Sequence, residues 1–178
     1  MRIIGGTLKG KNILPPANYG ARPTTDFAKE GLFNILINEY DIEELSVLDL
    51  FSGTGSISLE FASRGCKDII SVEMNPVHAR FIKQVVTAYK VKGMQVVRHN
   101  AFDFINICTR KFDVIFADPP YSIEGLDTIP FKIFERGLLN EGGYLILEHP
   151  GTYNFEEHTH FIKERKYGNV HFSFFRIK

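Results

Sequence analysis

The chain has 178 residues, 44% of them hydrophobic, with 21 Lys and Arg balancing 21 Asp and Glu and only two cysteines. That size and apolar content fit one globular domain over 1–178. They exclude a membrane-helix protein, because no apolar run approaches the about 18 residues a span needs, and a disulfide or CxxC scaffold, because Cys66 and Cys108 stand alone. The neutral total conceals basic ends: residues 1–29 carry five Lys and Arg against Asp26, and residues 161–178 five against Glu164. Brought to one face, these ends form a footprint for an anionic polymer.

In chain order, Gly5, Gly6 and Gly10 among short apolar pieces, closed by Pro15-Pro16, read as a small β-hairpin or extended arm over 2–15. The stretch 16–25 reads as a loop. The spacing of Ala28, Leu32, Ile35 and Leu36 predicts a helix from Asp26 to Tyr40, with Thr24, Thr25 and Asp26 supplying capping oxygens. A regular alternation then begins: strand 46–51, helix from about Ser56 to Arg64 stopped at Gly65, strand 68–73, and a helix opened by Asn75-Pro76. It continues with strand 94–98, a short helix over 101–107, strand 112–117, a helix around 128–138 and strand 143–148. Such alternation makes a parallel sheet. Residues 159–165 and 170–177 read as two strands joined at Tyr167-Gly168-Asn169, an antiparallel hairpin at the sheet edge. The expectation is a Rossmann-like α/β fold of seven strands, with 1–25 as an arm and 26–178 as helix plus core.

Two strand exits carry chemistry. Asp118-Pro119-Pro120-Tyr121 follows the apolar run Phe112 to Ala117, and two prolines fix the backbone where a carboxylate, a carbonyl and an aromatic face can hold an aminated base. Gly53-Thr54-Gly55 follows a strand and opens a helix, where backbone can approach a ligand closely. The third glycine of GxGxxG is absent, because position 58 is Ser58. Glu73 ends the next strand at the offset from which a carboxylate reaches both hydroxyls of a ribose. Asn100 and Ala101 end the third strand, placed either for an adenine edge or, in the case of Asn100, as a helix N-cap. His158 and His160 fall on one face of a predicted strand, but without a third ligand they make no metal site. His99 reads as structural.

Together these motifs resemble the S-adenosylmethionine-dependent methyltransferases that alkylate exocyclic amines of bases. Arg2-Ile3-Ile4-Gly5-Gly6, Lys9-Gly10-Lys11, Arg22-Pro23-Thr24-Thr25-Asp26, Glu30, Leu32-Phe33-Asn34 and Lys166-Tyr167-Gly168 narrow the resemblance to the RsmD family, which methylates guanine N2 in 16S ribosomal RNA. The resemblance implies a class I methyltransferase fold and S-adenosylmethionine as cofactor. It implies that Gly53 and Gly55, with Asp49 and Phe51, lie along the cofactor's methionine side, Glu73 on its ribose, Asn100 and Ala101 near its adenine, and Thr24 and Thr25 near its carboxylate. The two threonines equally suit capping of the helix at Asp26. Asp118, Pro119, Pro120 and Tyr121 are then the catalytic group, and Arg2, Lys9, Lys11 and Arg22 contact RNA phosphates. The implied protein is a cytoplasmic monomer without metal or membrane contact, acting on 16S rRNA in small ribosomal subunits. Three alternatives stay open: an adenine-N6 methyltransferase with the same Asp-Pro-Pro-Tyr, a nicotinamide oxidoreductase using Gly53-Thr54-Gly55 and Glu73, and an RNA-binding module without catalysis.

Overall fold

The structure, a computed structural model, describes residues 1–15 and 24–177. Arg22, expected on the RNA side, lies outside the described residues. Seven strands form one sheet in the order β3-β2-β1-β4-β5-β7-β6: β1 Ser46–Leu50, β2 Asp68–Val72, β3 Met94–Val97, β4 Phe112–Ala117, β5 Leu139–His149, β6 Phe161–Tyr167 and β7 Val170–Phe175. The first five run parallel, and β7 is antiparallel to both β5 and β6. Among the described residues, five helices cover the sheet: α1 Asp26–Glu39, α2 Ser56–Ser63, α3 Pro76–Ala88, α4 Ala101–Ile107 and α5 Ile129–Glu135.

Period-2 alternation divides each inner strand between two cores. Val47, Val114, Phe116 and Ile146 face one side with Leu32, Leu36, Phe61 and Ile82 of α1 to α3, while Leu48, Ile115, Leu145 and Leu147 face the other with Ile105 of α4 and Ile133 of α5. The chain steps outward from β1 to β3, then returns to lay β4 on the other side of β1. The crevice at this reversal is where open α/β sheets bind ligands.

The arm differs from a full hairpin. One antiparallel bridge, Arg2 to Asn12, and hydrogen bonds from Ile3 N–H to Lys11 O (3.0 Å) and Ile13 N–H to Met1 O (2.8 Å) close it around a 3-10 turn over Gly6–Leu8. Its fastening comes from α2: Ile4 N–H donates to Glu60 Oε1 (2.8 Å), and Ser63 Oγ donates to Gly5 O (2.5 Å). Glu60 also pairs with Lys29, so Lys29 is buried in α1 while Ile35, expected on its apolar stripe, is only half-buried.

Three expected boundaries move. The fifth strand starts at Leu139 because Leu139 pairs with Phe112 ahead of an irregularity before Tyr144, and the preceding helix ends earlier, at Glu135. The sixth starts at Phe161, so His158 and His160 sit in the turns before it. Their rings pack instead on aromatic neighbours, His158 edge-on at 4.5 Å from Phe131 and His160 stacked at 4.0 Å from Phe134.

The C-terminal hairpin packs on α1. Gly31 of α1 lies against Tyr167 of β6, where a Cβ would come within 2.1 Å of the ring, so only glycine allows this approach. The hairpin tip thereby closes over the same crevice as the start of α1.

Candidate active site

A cavity of about 1130 Å³ occupies the crevice at the carboxyl ends of β1, β2, β3, β4 and β5. Asp49, Phe51, Gly53, Glu73, Asn100, Ala101, Thr24, Thr25 and the whole of Asp118-Pro119-Pro120-Tyr121 line it, so the structure brings together all but one of the cofactor and catalytic candidates. The exception is Gly55. It has φ +73° at the N-cap of α2, and a Cβ there would meet Ile82 at 3.0 Å, so its role is to bring α2 against α3. Arg2, Lys9 and Lys11 lie outside the cavity on the arm, with Arg2 bound to Asp26 at 2.8 Å.

The loop after β1 is shaped by backbone geometry and by buried carboxylates. Phe51 holds φ +59°, a left-handed conformation rare outside glycine, and Gly53 follows with φ +53°. Gly53 N–H donates to Glu73 Oε2 at 2.8 Å, and Asn75 N–H donates to the other carboxylate oxygen at 2.7 Å. These bonds fix the Glu73 carboxylate at the rim and leave it lone pairs for a diol. Ser58 replaces the absent third glycine for a visible reason: its hydroxyl and N–H both donate to Asp49 Oδ2, at 2.5 and 3.2 Å. Burial nevertheless pushes the Asp49 carboxyl up to about 7.

Asn100 is the N-cap of α4, accepting from Phe102 N–H (2.8 Å) and Asp103 N–H (3.2 Å), and it lines the cavity as well. Thr25 likewise caps α1, accepting from Ala28 N–H at 3.2 Å. Thr24 points elsewhere, its hydroxyl donating to Glu148 Oε2 at 3.2 Å.

Glu148 was not among the residues singled out in the sequence. It is 5% exposed, accepts from Tyr121 OH at 3.3 Å as well as from Thr24, and its carboxyl is raised by burial to about 7 in spite of those bonds. The β4–β5 register ends with Ala117 opposite Leu147, so Asp118 and Glu148 follow as neighbours at the two strand tips. Burial, then the charges of Glu148 and Asp49, lift Asp118 well above the usual carboxylate range. A polar residue ending the apolar run Tyr144 to Leu147 was the available signal. Ser56, Phe27 and Tyr167 also line the wall, and the buried Ser56 hydroxyl has no hydrogen-bond partner.

The wall thus holds four acids, Asp49, Glu73, Asp118 and Glu148, and no Lys or Arg among its described residues. It is complementary to a cationic ligand with a diol and an orphan-satisfying polar group, and hostile to phosphate. Among the described residues no group of three or more His, Cys, Asp or Glu is placed to hold a metal ion, and no helix is long and apolar enough to cross a membrane.

The raised carboxyls carry a pH signature. A carboxyl whose folded pKa lies above its unfolded value stabilises the fold fully below the unfolded value, and that stabilisation is lost as pH rises through the folded one. Between about pH 4 and about pH 7, Asp49→Asn should therefore gain stability relative to the unsubstituted chain, by on the order of 4 kcal/mol in all. Urea melts across that range check it; a constant difference at all pH values would show that Asp49 titrates normally.

Comparison with known proteins gives the family. Residues 1–176 match the family model described as conserved hypothetical protein 95. A Haemophilus influenzae relative, ribosomal RNA small subunit methyltransferase D, is 30% identical over 83% of this chain and 78% of its own. The solved Thermus thermophilus protein TTHA0928 superimposes with a TM-score of 0.88 at 28% identity, covering 99% of both chains. A second Thermus structure, the 16S rRNA N2 G1207 methyltransferase RsmC in complex with AdoMet and guanosine, shares the fold at TM-score 0.69 and 20% identity over 89% of this chain and 45% of that one. With its sequence matched almost from end to end and a methyltransferase fold around an acid-lined cavity, the chain belongs to the conserved hypothetical protein 95 family, the RsmD family.

Proposed function

We propose that this S-adenosylmethionine-dependent rRNA methyltransferase modifies the exocyclic N2 amine of a guanine in 16S rRNA, acting on assembled or partly assembled small subunits in the cytoplasm. The observation that carries this reading is the acid-lined cavity with Asp118-Pro119-Pro120-Tyr121 on its rim. A nicotinamide dinucleotide brings a pyrophosphate, for which the described wall offers no cation. S-adenosylmethionine fits the donor set: Glu73 takes the ribose diol, Asn100 and Ala101 border the adenine, Ser56 offers an unused hydroxyl, and Asp49 balances positive charge. When bound, it supplies an electrophilic methyl group on a positively charged sulfur. That a protein of the same fold holds AdoMet and guanosine supports the pairing of cofactor and base.

The amine of guanine is a weak nucleophile because its lone pair is delocalised into the ring. Asp118 and the Pro119 carbonyl each accept one N–H, localising that pair and fixing its direction. Tyr121, 45% exposed at the rim, stacks on the base, worth about 1 to 3 kcal/mol toward unstacking it from RNA. As the new N–C bond forms, the nitrogen sheds one proton. Asp118, with its affinity for protons raised by burial and by Glu148, takes it.

The test is transfer of label from radioactive S-adenosylmethionine to small ribosomal subunits lacking modifications, followed by nucleoside digestion. Label in N2-methylguanosine is expected; label in N6-methyladenosine with guanine untouched would overturn the assignment. The arm is the proposed RNA contact. Lys9 and Lys11 are exposed, and replacing both with Ala should flatten the salt dependence of RNA binding by about 0.7 to 0.9 in log–log slope per lost phosphate contact. An unchanged slope removes the arm from the footprint.

A further inference from the structure

We infer that Glu148 reads the N1–H of the target guanine, making it the residue that selects guanine over adenine at this site. The inference rests on the reading of the cavity as a guanine-N2 site and adds the group that identifies the base. Glu148 stands at the tip of β5 beside Asp118 at the tip of β4, faces the same cavity, and is braced from both sides, by Tyr121 OH on Oε1 and Thr24 Oγ1 on Oε2. Each oxygen accepts one such bond and keeps lone-pair capacity for another. A buried carboxylate directly after the apolar run Tyr144 to Leu147 carries a desolvation cost that a ligand's donor would offset.

The edge of guanine presents two neighbouring donors, the N2 amine and N1–H, and the two strand tips present two neighbouring acceptors. With Asp118 on the amine, the adjoining acceptor falls to the neighbouring ring position. Adenine, with its amine in the same place, offers a bare N1 lone pair there, which a carboxylate repels and leaves unsatisfied. A site built to bond a donor rejects an analogue lacking it far more strongly than an apolar pocket rejects a change of shape. Tyr121 gains a second role, since the ring that stacks on the base also fixes the carboxylate that identifies it.

The experiment uses the full chain and small subunits in which the guanine mapped by label transfer is replaced by 2,6-diaminopurine. This base keeps the N2 amine but has a lone pair in place of N1–H. At about pH 8, above the Glu148 carboxyl's value of about 7, kcat/KM should fall about 10- to 100-fold for diaminopurine with the unsubstituted enzyme. Glu148→Gln presents an amide that can donate to that lone pair, so its preference for guanine should shrink to within about 3-fold. Cofactor affinity, measured separately by calorimetry, should stay unchanged in E148Q. Equal use of both bases by the unsubstituted enzyme, or full retention of the preference in E148Q, overturns the inference while leaving guanine-N2 methylation standing. Absence of label from guanine in unmodified subunits overturns both. Should E148Q fail to fold, the comparison of the two bases with the unsubstituted enzyme still decides.

Discussion

Asp118→Ala should reduce kcat/KM for methyl transfer by about 1,000-fold while cofactor affinity changes less than about 3-fold. The asymmetry follows from position. Asp118 stands at the tip of β4 on the proposed base side, whereas Glu73 and the loop after β1 form the proposed cofactor side, held by bonds such as Gly53 N–H to Glu73 that Asp118 does not share. The substitution removes one acceptor for the amine and the only proposed destination for its proton. Asp118→Asn separates these roles, because an amide oxygen still accepts an N–H but takes no proton at neutral pH. It should retain more activity than the alanine variant, with a loss of about 10- to 100-fold. Steady-state kinetics with labelled cofactor, alongside calorimetry, measure both quantities. Full activity in D118A would defeat the mechanism, and a parallel collapse of cofactor binding would move Asp118 to the cofactor side.

The parallel half of the fold was legible because its signals are local. Strands β1 to β4 show as apolar runs closed by loops, and Asn75-Pro76 and Asn100 mark helix starts that the structure reproduces with cap bonds. Asp118 and Glu73 were legible for the same reason, each being a polar residue directly after an apolar run. Glu148 carries that signal too, yet its meaning depends on β5 lying beside β4, a long-range pairing that no local pattern states. Lys29 and Glu60 were illegible for a stronger reason. Each is a charged residue in a helix, which by itself reads as solvated surface. Their burial is set by the partner on the other helix and by the arm, three segments that meet only in the folded chain. The same holds for His158 and His160, where an apparent strand pattern reflects the ring contacts of a turn.

That buried cluster links the stability of the chain to its proposed contact with RNA. Glu60 is fully buried; its Oε1 accepts from Ile4 N–H at 2.8 Å and Lys29 Nζ at 3.1 Å, and its Oε2 pairs with Arg64. Lys29 Nζ also donates to Arg2 O at 2.5 Å, so one carboxylate and one ammonium hold both the first turn of the arm and the helices beneath it. Glu60→Ala leaves Lys29 buried without its main counter-charge and Ile4 N–H without its acceptor. Removing one partner of such a group costs about 3 to 5 kcal/mol, which at this chain length lowers Tm by on the order of 10 °C. Loss of the arm's anchor should also raise hydrogen exchange at Ile3 and Ile13 and weaken RNA binding, because Arg2, Lys9 and Lys11 ride on the same segment. Cofactor affinity should hold, since Glu60 is absent from the cavity wall. Thermal melts, exchange at the arm and the two binding measurements separate these effects. A Tm within about 2 °C of the parent would mean that the apolar contacts of Ile3 and Ile13 hold the arm without the ion pair. Reduced RNA affinity with an undisturbed arm would instead place Arg64 and Lys29, released from Glu60, in the electrostatics of the RNA surface.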